Sequence, residues 1–468
     1  MNRTLARVVG AVFLAAVLPV AAGSKYFARH REHAVRGVGG LPTNSTANYF
    51  SQQIDHGNPA LGNFGQRYFV ETSFLGRDES VVPTVVLYVG YEAELSATPG
   101  NSVALLARNL SAALVGLEMR YFGASMPAPY TNTSMLRFLT VHNTIEDTAA
   151  FIPFIKKTLF PRHAPEAVRV VTAGVSYAGA IVAWLAVAHP ALVTATWSSS
   201  GVVHTFYDYP QFDASVRSVL PADCAAAIAA GHADFDAAWS DPTFRRLAQT
   251  GFGIPDYFSP LDVQWGVVEN VVLAVQYGVK GPFCNLLLSQ PATVRPWLAL
   301  ARSVTALYGV GAIGNCFCST ACMANTSLAS DWYNYGWLWL LCSQLGDFQV
   351  GYPGSLRPEA LTDSFFVRQC RAVFHNATLS PIPYELNDRF GGFHPNATWV
   401  VATQFSDDPW QTAGAREPVP ASYTLLRAQC DGCGHGADMN SPAATDPFPL
   451  TALRAQVFAT IRAFLEGN

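Results

Sequence analysis

The 468-residue sequence predicts an α/β fold, a doubly wound and mostly parallel sheet whose second part is reached only after a long helical insertion. Three observations carry this. Short β-branched apolar runs alternate with helical patterns from Asn48 to about Val203. Helical patterns then dominate from His204 to Asn387. Two more apolar runs and a closing helix follow, so two separated segments build one sheet covered on both faces.

TVVLYVG (Thr84–Gly90) is a continuous apolar run, as a strand buried on both faces requires. SAALVGLEMRYFG (Ser111–Gly123) contains another. TIEDTAAFIPFIKKTLF (Thr144–Phe160) reads as a helix with Pro153 as its expected kink. VRVVTAG (Val168–Gly174) is a strand, Tyr177–Ala188 a helix and LVTATWSSS (Leu192–Ser200) a strand. The insertion is typified by ADCAAAIAAGHADFDAAW (Ala222–Trp239). It also holds most of the cysteines and the aromatic stretch DWYNYGWLWLLC (Asp331–Cys342), whose Trp337–Leu341 centre reads as core. TWVVATQF (Thr398–Phe405) and YTLLRAQ (Tyr423–Gln429) restore the strand pattern, and LTALRAQVFATIRAFLEG (Leu450–Gly467) is the last helix. The expected organisation is a signal peptide over 1–22, a first α/β segment over 45–203, a helical lid insertion over 204–387 and a second α/β segment over 388–468.

Half of the residues are hydrophobic and 13% are charged, too apolar for disorder and enough for a large core. The formal net charge of -4 gives no basic surface, so neither nucleic acid nor an anionic membrane is an expected partner. Arg3 and Arg7 precede an apolar run from Val8 to Ala22 closed by small residues, which reads as a secretory signal peptide cleaved near Ala22 or Gly23. The rival reading, an uncleaved anchor, is disfavoured by the short run and by Pro19. No later stretch is long enough to span a bilayer. Asn44, Asn109, Asn132, Asn325, Asn376 and Asn396 each head a glycosylation sequon, which supports a secreted or lysosomal/vacuolar destination. The nine cysteines are expected to be mostly disulfides, with at least one left unpaired. Cys430-x-x-Cys433 before His435 invites a zinc reading. The secretory context and the missing second half of a zinc motif favour a disulfide instead, and no metal or cofactor is expected.

Gly174-Val175-Ser176-Tyr177-Ala178 lies where a strand turns into a helix. A sharp turn there exposes a serine Oγ at the carboxyl edge of the sheet, and small neighbours let the chain bend; the alternative is a plain tight turn. A serine hydroxyl needs a base, and in folds with this elbow the chain order is Ser, acid, His. TWVVATQFSDDPW supplies Asp407 and Asp408 after a late strand, and YTLLRAQCDGCGHGAD supplies His435 before the last helix. Pro409 forces Asp408 toward extended geometry, which favours it over Asp407 as the acid. His189 ends the elbow helix and His56 is expected ahead of the sheet, so structural roles suit them better. The backbone N–H of Tyr177 and one from the loop near Gly90-Tyr91-Glu92, that of Tyr91, are the expected oxyanion donors. Glu118 and Arg120 are expected in an internal ion pair near the elbow.

These motifs, taken together and in order, resemble the prolyl-carboxypeptidase family of serine peptidases, which has carboxypeptidase, dipeptidyl-peptidase and acid endopeptidase branches. The matching pieces are YFSQQIDHGNP (Tyr49–Pro59), GQRYF (Gly65–Phe69), GYE (Gly90–Glu92), LEMRYFGASMP (Leu117–Pro127) and LTVHNTIEDTAAFI (Leu139–Ile152). The AGVSYAGA elbow, Asp408-Pro409-Trp410 and GCGHGAD (Gly432–Asp438) complete the set. WLWLLCSQ (Trp337–Gln344) looks most like the endopeptidase branch. The resemblance implies an α/β-hydrolase domain with a helical lid, Ser176, Asp408 and His435 as catalytic triad, and cleavage after proline in proline-containing peptides. It also puts an aromatic wall of the proline pocket at Trp410, two residues after the acid. Three positions depart from the family: Ala178 stands for Gly, Met119 for His and Gln344 for Glu. The last removes a lid carboxylate, with consequences for terminus recognition and pH optimum. An esterase or lipase of the same fold and an inactive binding protein on a hydrolase scaffold are the rival functions. Turnover of a proline amide against a simple ester separates the first, and fluorophosphonate labelling the second. A homodimer is compatible with the sequence.

Overall fold

The computed structural model describes residues 41–76, 82–128, 133–325 and 332–467. The leader and the sequon at Asn132 lie outside the described residues.

Eight strands form one sheet: β1 (Asn48–Gln53), β2 (Asn63–Glu71), β3 (Thr84–Val89), β4 (Ala113–Leu117), β5 (Arg169–Val175), β6 (Ala195–Ser199), β7 (Val400–Phe405) and β8 (Tyr423–Ala428). Their order is β1-β2-β4-β3-β5-β6-β7-β8. β1 pairs antiparallel with β2, and β2 antiparallel with β4; every other pair is parallel. This is an α/β-hydrolase fold.

The apolar runs explain the sheet's centre. β3, β4, β6 and β7 are buried at every residue because helices cover both faces. Parallel neighbours need crossovers, and the helices Ser102–Asn109, Val141–Leu159 and Tyr177–Ala188 supply them. Pro153 sits inside the second of these, as the sequence indicates. The edge strand β1 alternates buried or half-buried with exposed positions instead.

His56 is a correction. It lies between β1 and β2, inside the sheet's sequence span rather than ahead of it, and its Nε2 is 2.8 Å from Asp147 Oδ1. The polar hairpin YFSQQ…GQRYF lacks the continuous apolar run that marks the inner strands, so the sheet's true beginning is harder to read. Glu118 and Arg120 do form buried ion pairs, but not with each other. Arg67 pairs with Glu118, while Arg120 reaches both Asp147 oxygens at 2.6 Å. The two lie in the turn after β4, and their side chains leave toward different elements.

β6 and β7 are neighbours in space, yet the helices from Pro210 to Phe390 intervene in sequence. Those helices pack mostly into two clusters of their own, one around Tyr209, Phe235 and Trp297, the other around Trp265, Phe348 and Phe366. Position 387 falls inside the helix Pro383–Phe390, whose Phe390 stacks on Trp184 of the elbow helix at 5.2 Å. Disulfides Cys224–Cys284, Cys316–Cys322 and Cys342–Cys370 staple the inserted helices, and Cys430 bonds Cys433. Cys318 is the unpaired, buried thiol that the odd count requires.

Strand register sets up the site. Val175 pairs with Ser199, and Ser199 with Thr403. The carboxyl ends of β5, β6 and β7 therefore finish side by side, and the loops after β5, β7 and β8 emerge at one edge.

Candidate active site

Ser176 is the N-cap of the helix Tyr177–Ala188 and holds φ 63° and ψ -126°. A non-glycine residue in this region costs about 1–3 kcal/mol, so the surroundings must enforce it. They do so by close packing. A Cβ on Gly174 would come within 2.3 Å of the Ala178 carbonyl, and one on Gly179 within 2.8 Å of the Ser199 carbonyl. The glycines the turn needs are thus 174 and 179, and Ala178 is accommodated as a buried methyl. Ser176 N–H donates to Ser199 O at 3.0 Å, tying the elbow to β6. Tyr177 occupies the first helical position, where a backbone N–H has no intrahelical acceptor.

The loop after β7 carries both aspartates, and their partners separate them. Asp408 faces His435, with Nδ1 at 2.8 Å from Oδ1 and 2.9 Å from Oδ2. Asp408 Oδ1 also accepts the Trp410 N–H at 2.9 Å, capping the short helix Pro409–Ala413. Asp407 turns the other way. Its Oδ2 meets Lys280 Nζ at 2.9 Å and the Gly432 N–H at 2.8 Å.

His435 sits on a loop fixed from several sides. Its N–H donates to the Gln276 carbonyl at 2.7 Å, and Gly436 N–H donates to Ser200 Oγ at 2.9 Å. Gly436 has φ 65°, and a Cβ there would lie 2.5 Å from Val175 Cγ2, so this glycine lets the loop pass against the elbow strand. Three residues on, buried Asp438 accepts from Trp197 Nε1 (3.0 Å), Ser199 Oγ (2.5 Å) and Thr403 Oγ1 (2.6 Å). Burial raises the Asp438 carboxyl while these three donors lower it, and burial prevails.

Ser176, His435, Tyr91 and Trp410 line one cavity. His435 Nε2 is buried and has no hydrogen-bond partner, and no hydrogen bond joins it to Ser176. Such bonds are often long in unliganded sites and tighten with substrate. The Trp410 ring lies 6.5 Å from that of His435 and 4.8 Å from that of Phe212, and its Nε1 donates to Gln276 Oε1 at 3.2 Å. A serine at a strained elbow, an imidazole with a free Nε2 and a carboxylate on Nδ1 are the parts that acyl transfer needs.

Gln344, where a lid carboxylate was at issue, does not line this cavity. Its side chain accepts the Val141 N–H at 3.2 Å at the start of the helix Val141–Leu159. Sequence reading missed Gln276, which holds both the His435 backbone and the Trp410 indole. It lies in the inserted helices and belongs to no motif. Asp438 lies within the GCGHGAD motif, but nothing in the sequence shows its role as an anchor to β6 and β7. Among the described residues no group of three or more His, Cys, Asp or Glu could hold a metal.

Comparison with known proteins finds serine proteases over most of the chain. "Probable serine protease EDA2" of Arabidopsis thaliana is 23% identical over 418 residues, covering 84% of this chain and 80% of the relative. "Lysosomal Pro-X carboxypeptidase" of Homo sapiens is 24% identical over 481 residues, covering 90% and 91%. "Serine protease vicPa" of Bipolaris victoriae is 24% identical over 455 residues, covering 83% of each. The pattern described as serine carboxypeptidase S28 matches residues 52–457, which run from β1 into the last helix, and the chain therefore belongs to that serine peptidase family.

Proposed function

We propose that this protein hydrolyses peptide bonds on the carboxyl side of proline, with Ser176 as nucleophile, His435 as general base and Asp408 as the group that orients it. The observation that carries the reading is the two-oxygen contact of Asp408 with His435 Nδ1, which leaves Nε2 unpartnered in the cavity that Ser176 lines. Ser176 Oγ attacks the substrate carbonyl as His435 Nε2 takes its proton. The tetrahedral oxyanion is held by the Tyr177 N–H and a donor from the Tyr91 loop. Collapse expels the amine, which receives that proton, and leaves an acyl-enzyme. Water then attacks with His435 again as base, releasing the acid and restoring Ser176.

Proline selectivity is supported by Trp410. A proline ring is compact and has no N–H, so recognition must come from apolar shape. Trp410 offers an indole beside His435, backed by Tyr209 and Phe212. A secretory or lysosomal route is supported by the leader composition and by the printed name of the human relative. Among the described residues no helix is long and apolar enough to cross a membrane.

The test pairs two measurements on pure protein. A fluorophosphonate should label the wild type and fail to label Ser176→Ala. The wild type should cleave a proline peptide in preference to the same peptide with alanine at that position. Labelling of Ser176→Ala equal to wild type would remove Ser176 from the mechanism.

A further inference from the structure

Two motifs have no part in the chemistry above, GQRYF on β2 and LEMRYFGASMP running out of β4, and the fold joins them. Glu118, the first residue past β4, is fully buried and does not line the cavity. Its Oε2 accepts from Arg67 Nε at 3.1 Å, from Arg67 Nη2 and from the Leu95 N–H at 3.0 Å. Its Oε1 accepts from the Ser125 N–H at 2.9 Å and from Ser125 Oγ at 2.8 Å. Five donors on two oxygens saturate a carboxylate, the one side-chain group that only accepts. Gly123, with φ 83°, passes so close that a Cβ would lie 2.1 Å from Glu118 Oε2, so the glycine of this motif makes room for the carboxylate.

These bonds hold the loop after β3. The Gly90 N–H donates to Leu117 O at 2.8 Å where β3 ends, and the Leu95 N–H ends on Glu118. Between the two pins the Ala93 N–H closes a tight turn on Tyr91 O at 2.7 Å. Arg67 adds a further hold through Glu94 Oε1 at 2.8 Å. Tyr333, on the inserted helix Trp332–Leu340, takes the Glu94 N–H at 3.3 Å.

Tyr91, Glu92 and Ala93 line the cavity together with Ser176, and theirs is the loop that offers the second oxyanion donor in the proposed mechanism. Such a donor must come within about 2.7–3.1 Å of the developing oxyanion, and a misplacement of about 1 Å costs roughly 10²-fold in rate. The segment from Gly90 to Leu95 is neither helix nor strand, so no ladder of backbone bonds fixes it. Its position depends on the side chains that reach it, and charge-assisted bonds to a buried carboxylate are the strong ones among them.

We propose that Glu118 and Arg67 are positioning residues of the oxyanion hole, holding the loop from Gly90 to Leu95 where its backbone donor meets the tetrahedral oxygen formed when Ser176 attacks. The inference deepens the peptidase reading above and rests on it. In that step the bond from Ser176 Oγ to the carbonyl carbon forms, the carbonyl π pair moves onto oxygen, and the serine proton goes to His435 Nε2. Glu118 and Arg67 exchange nothing with the substrate and fix only the donor. Their loss should therefore raise the barrier of the chemical step and leave ground-state binding nearly intact.

The test uses Glu118→Gln, because the amide keeps the shape but turns its NH2 onto either Arg67 and Leu95 or Ser125, all of which donate. Active sites are first counted by fluorophosphonate labelling carried to completion, which removes losses through misfolding. Per labelled site, kcat on a proline peptide should fall about 10–100-fold, with KM within about threefold of wild type. Inhibition by a peptide aldehyde ending in proline, whose adduct with Ser176 carries the same oxyanion, should weaken by the same factor as kcat/KM. Arg67→Lys keeps the charge but loses the two-nitrogen contact. It should show the same pattern at about tenfold, and it decides the matter if Glu118→Gln yields no folded protein. A kcat within about threefold of wild type per labelled site, a loss confined to KM, or a kcat loss without weaker aldehyde inhibition would each overturn the proposal. A wild type that fails to label, or to cleave the proline peptide, would instead bring down the peptidase reading on which the proposal rests.

Discussion

Exchanging each of the adjacent aspartates for asparagine should damage different properties of the protein. In Asp408→Asn the amide oxygen stays with the Trp410 N–H, because that backbone donor, 2.9 Å from Oδ1, needs an acceptor. The amide NH2 then faces His435 Nδ1, which must present a lone pair and carry its proton on Nε2. An imidazole in that tautomer cannot accept the Ser176 proton. The expected cost is about 10⁴ in kcat, or about 5.5 kcal/mol, with KM little changed. Asp407→Asn removes one charge from Lys280, which keeps Asp431 at 3.1 Å, and the new amide oxygen can still take the Gly432 N–H. Since Asp407 is 3% exposed, the loss should fall on stability, about 1–3 kcal/mol, with kcat within about tenfold of wild type. Steady-state kinetics on a proline peptide and thermal unfolding of both variants read the two axes. A larger loss of kcat in Asp407→Asn than in Asp408→Asn would refute the assignment of the acid.

Trp410→Ala should lower kcat/KM for proline substrates about 10–200-fold more than for their alanine counterparts, while fluorophosphonate labelling persists; equal losses with labelling gone would make Trp410 a loop support only. His232 has both ring nitrogens buried without partners, and burial lowers it from 6.5 to about 4. A histidine kept neutral in the folded state contributes stability that is complete above its unfolded value and is lost as pH falls from about 6.5 toward 4. The melting temperature should therefore drop across that window, less steeply in His232→Gln, and an unchanged slope would exclude this histidine as a source. Activity should survive a strong chelator, because Cys430 and Cys433 bond each other; loss restored by zinc would contradict this.

The sheet and the elbow were legible because their signals are local. A strand buried on both faces must be a continuous apolar run, and TVVLYVG and VRVVTAG end within a residue of β3 and β5. The elbow turn needs glycine at fixed positions, and Gly174 announces it in the chain. The loops after β7 and β8 follow from strand order, which put Asp408 and His435 at the same edge as Ser176. The polar first hairpin, β1 and β2, was not legible as part of the sheet, since antiparallel edge strands carry no such run. Partner choice was only partly legible. Pro409 favoured Asp408 over Asp407 as the acid, but Lys280 as the partner of Asp407 followed only from how the inserted helices dock against the loop. Gln344 proved to cap a helix, while Glu269, Asp347 and Gln276 came to line the cavity from inserted helices and loops that bear no motif. Periodicity records which face of an element is buried. Which residue that face meets depends on how elements far apart in the chain pack, and at this site packing alone brought the inserted helix Pro260–Gln276 against the His435 loop.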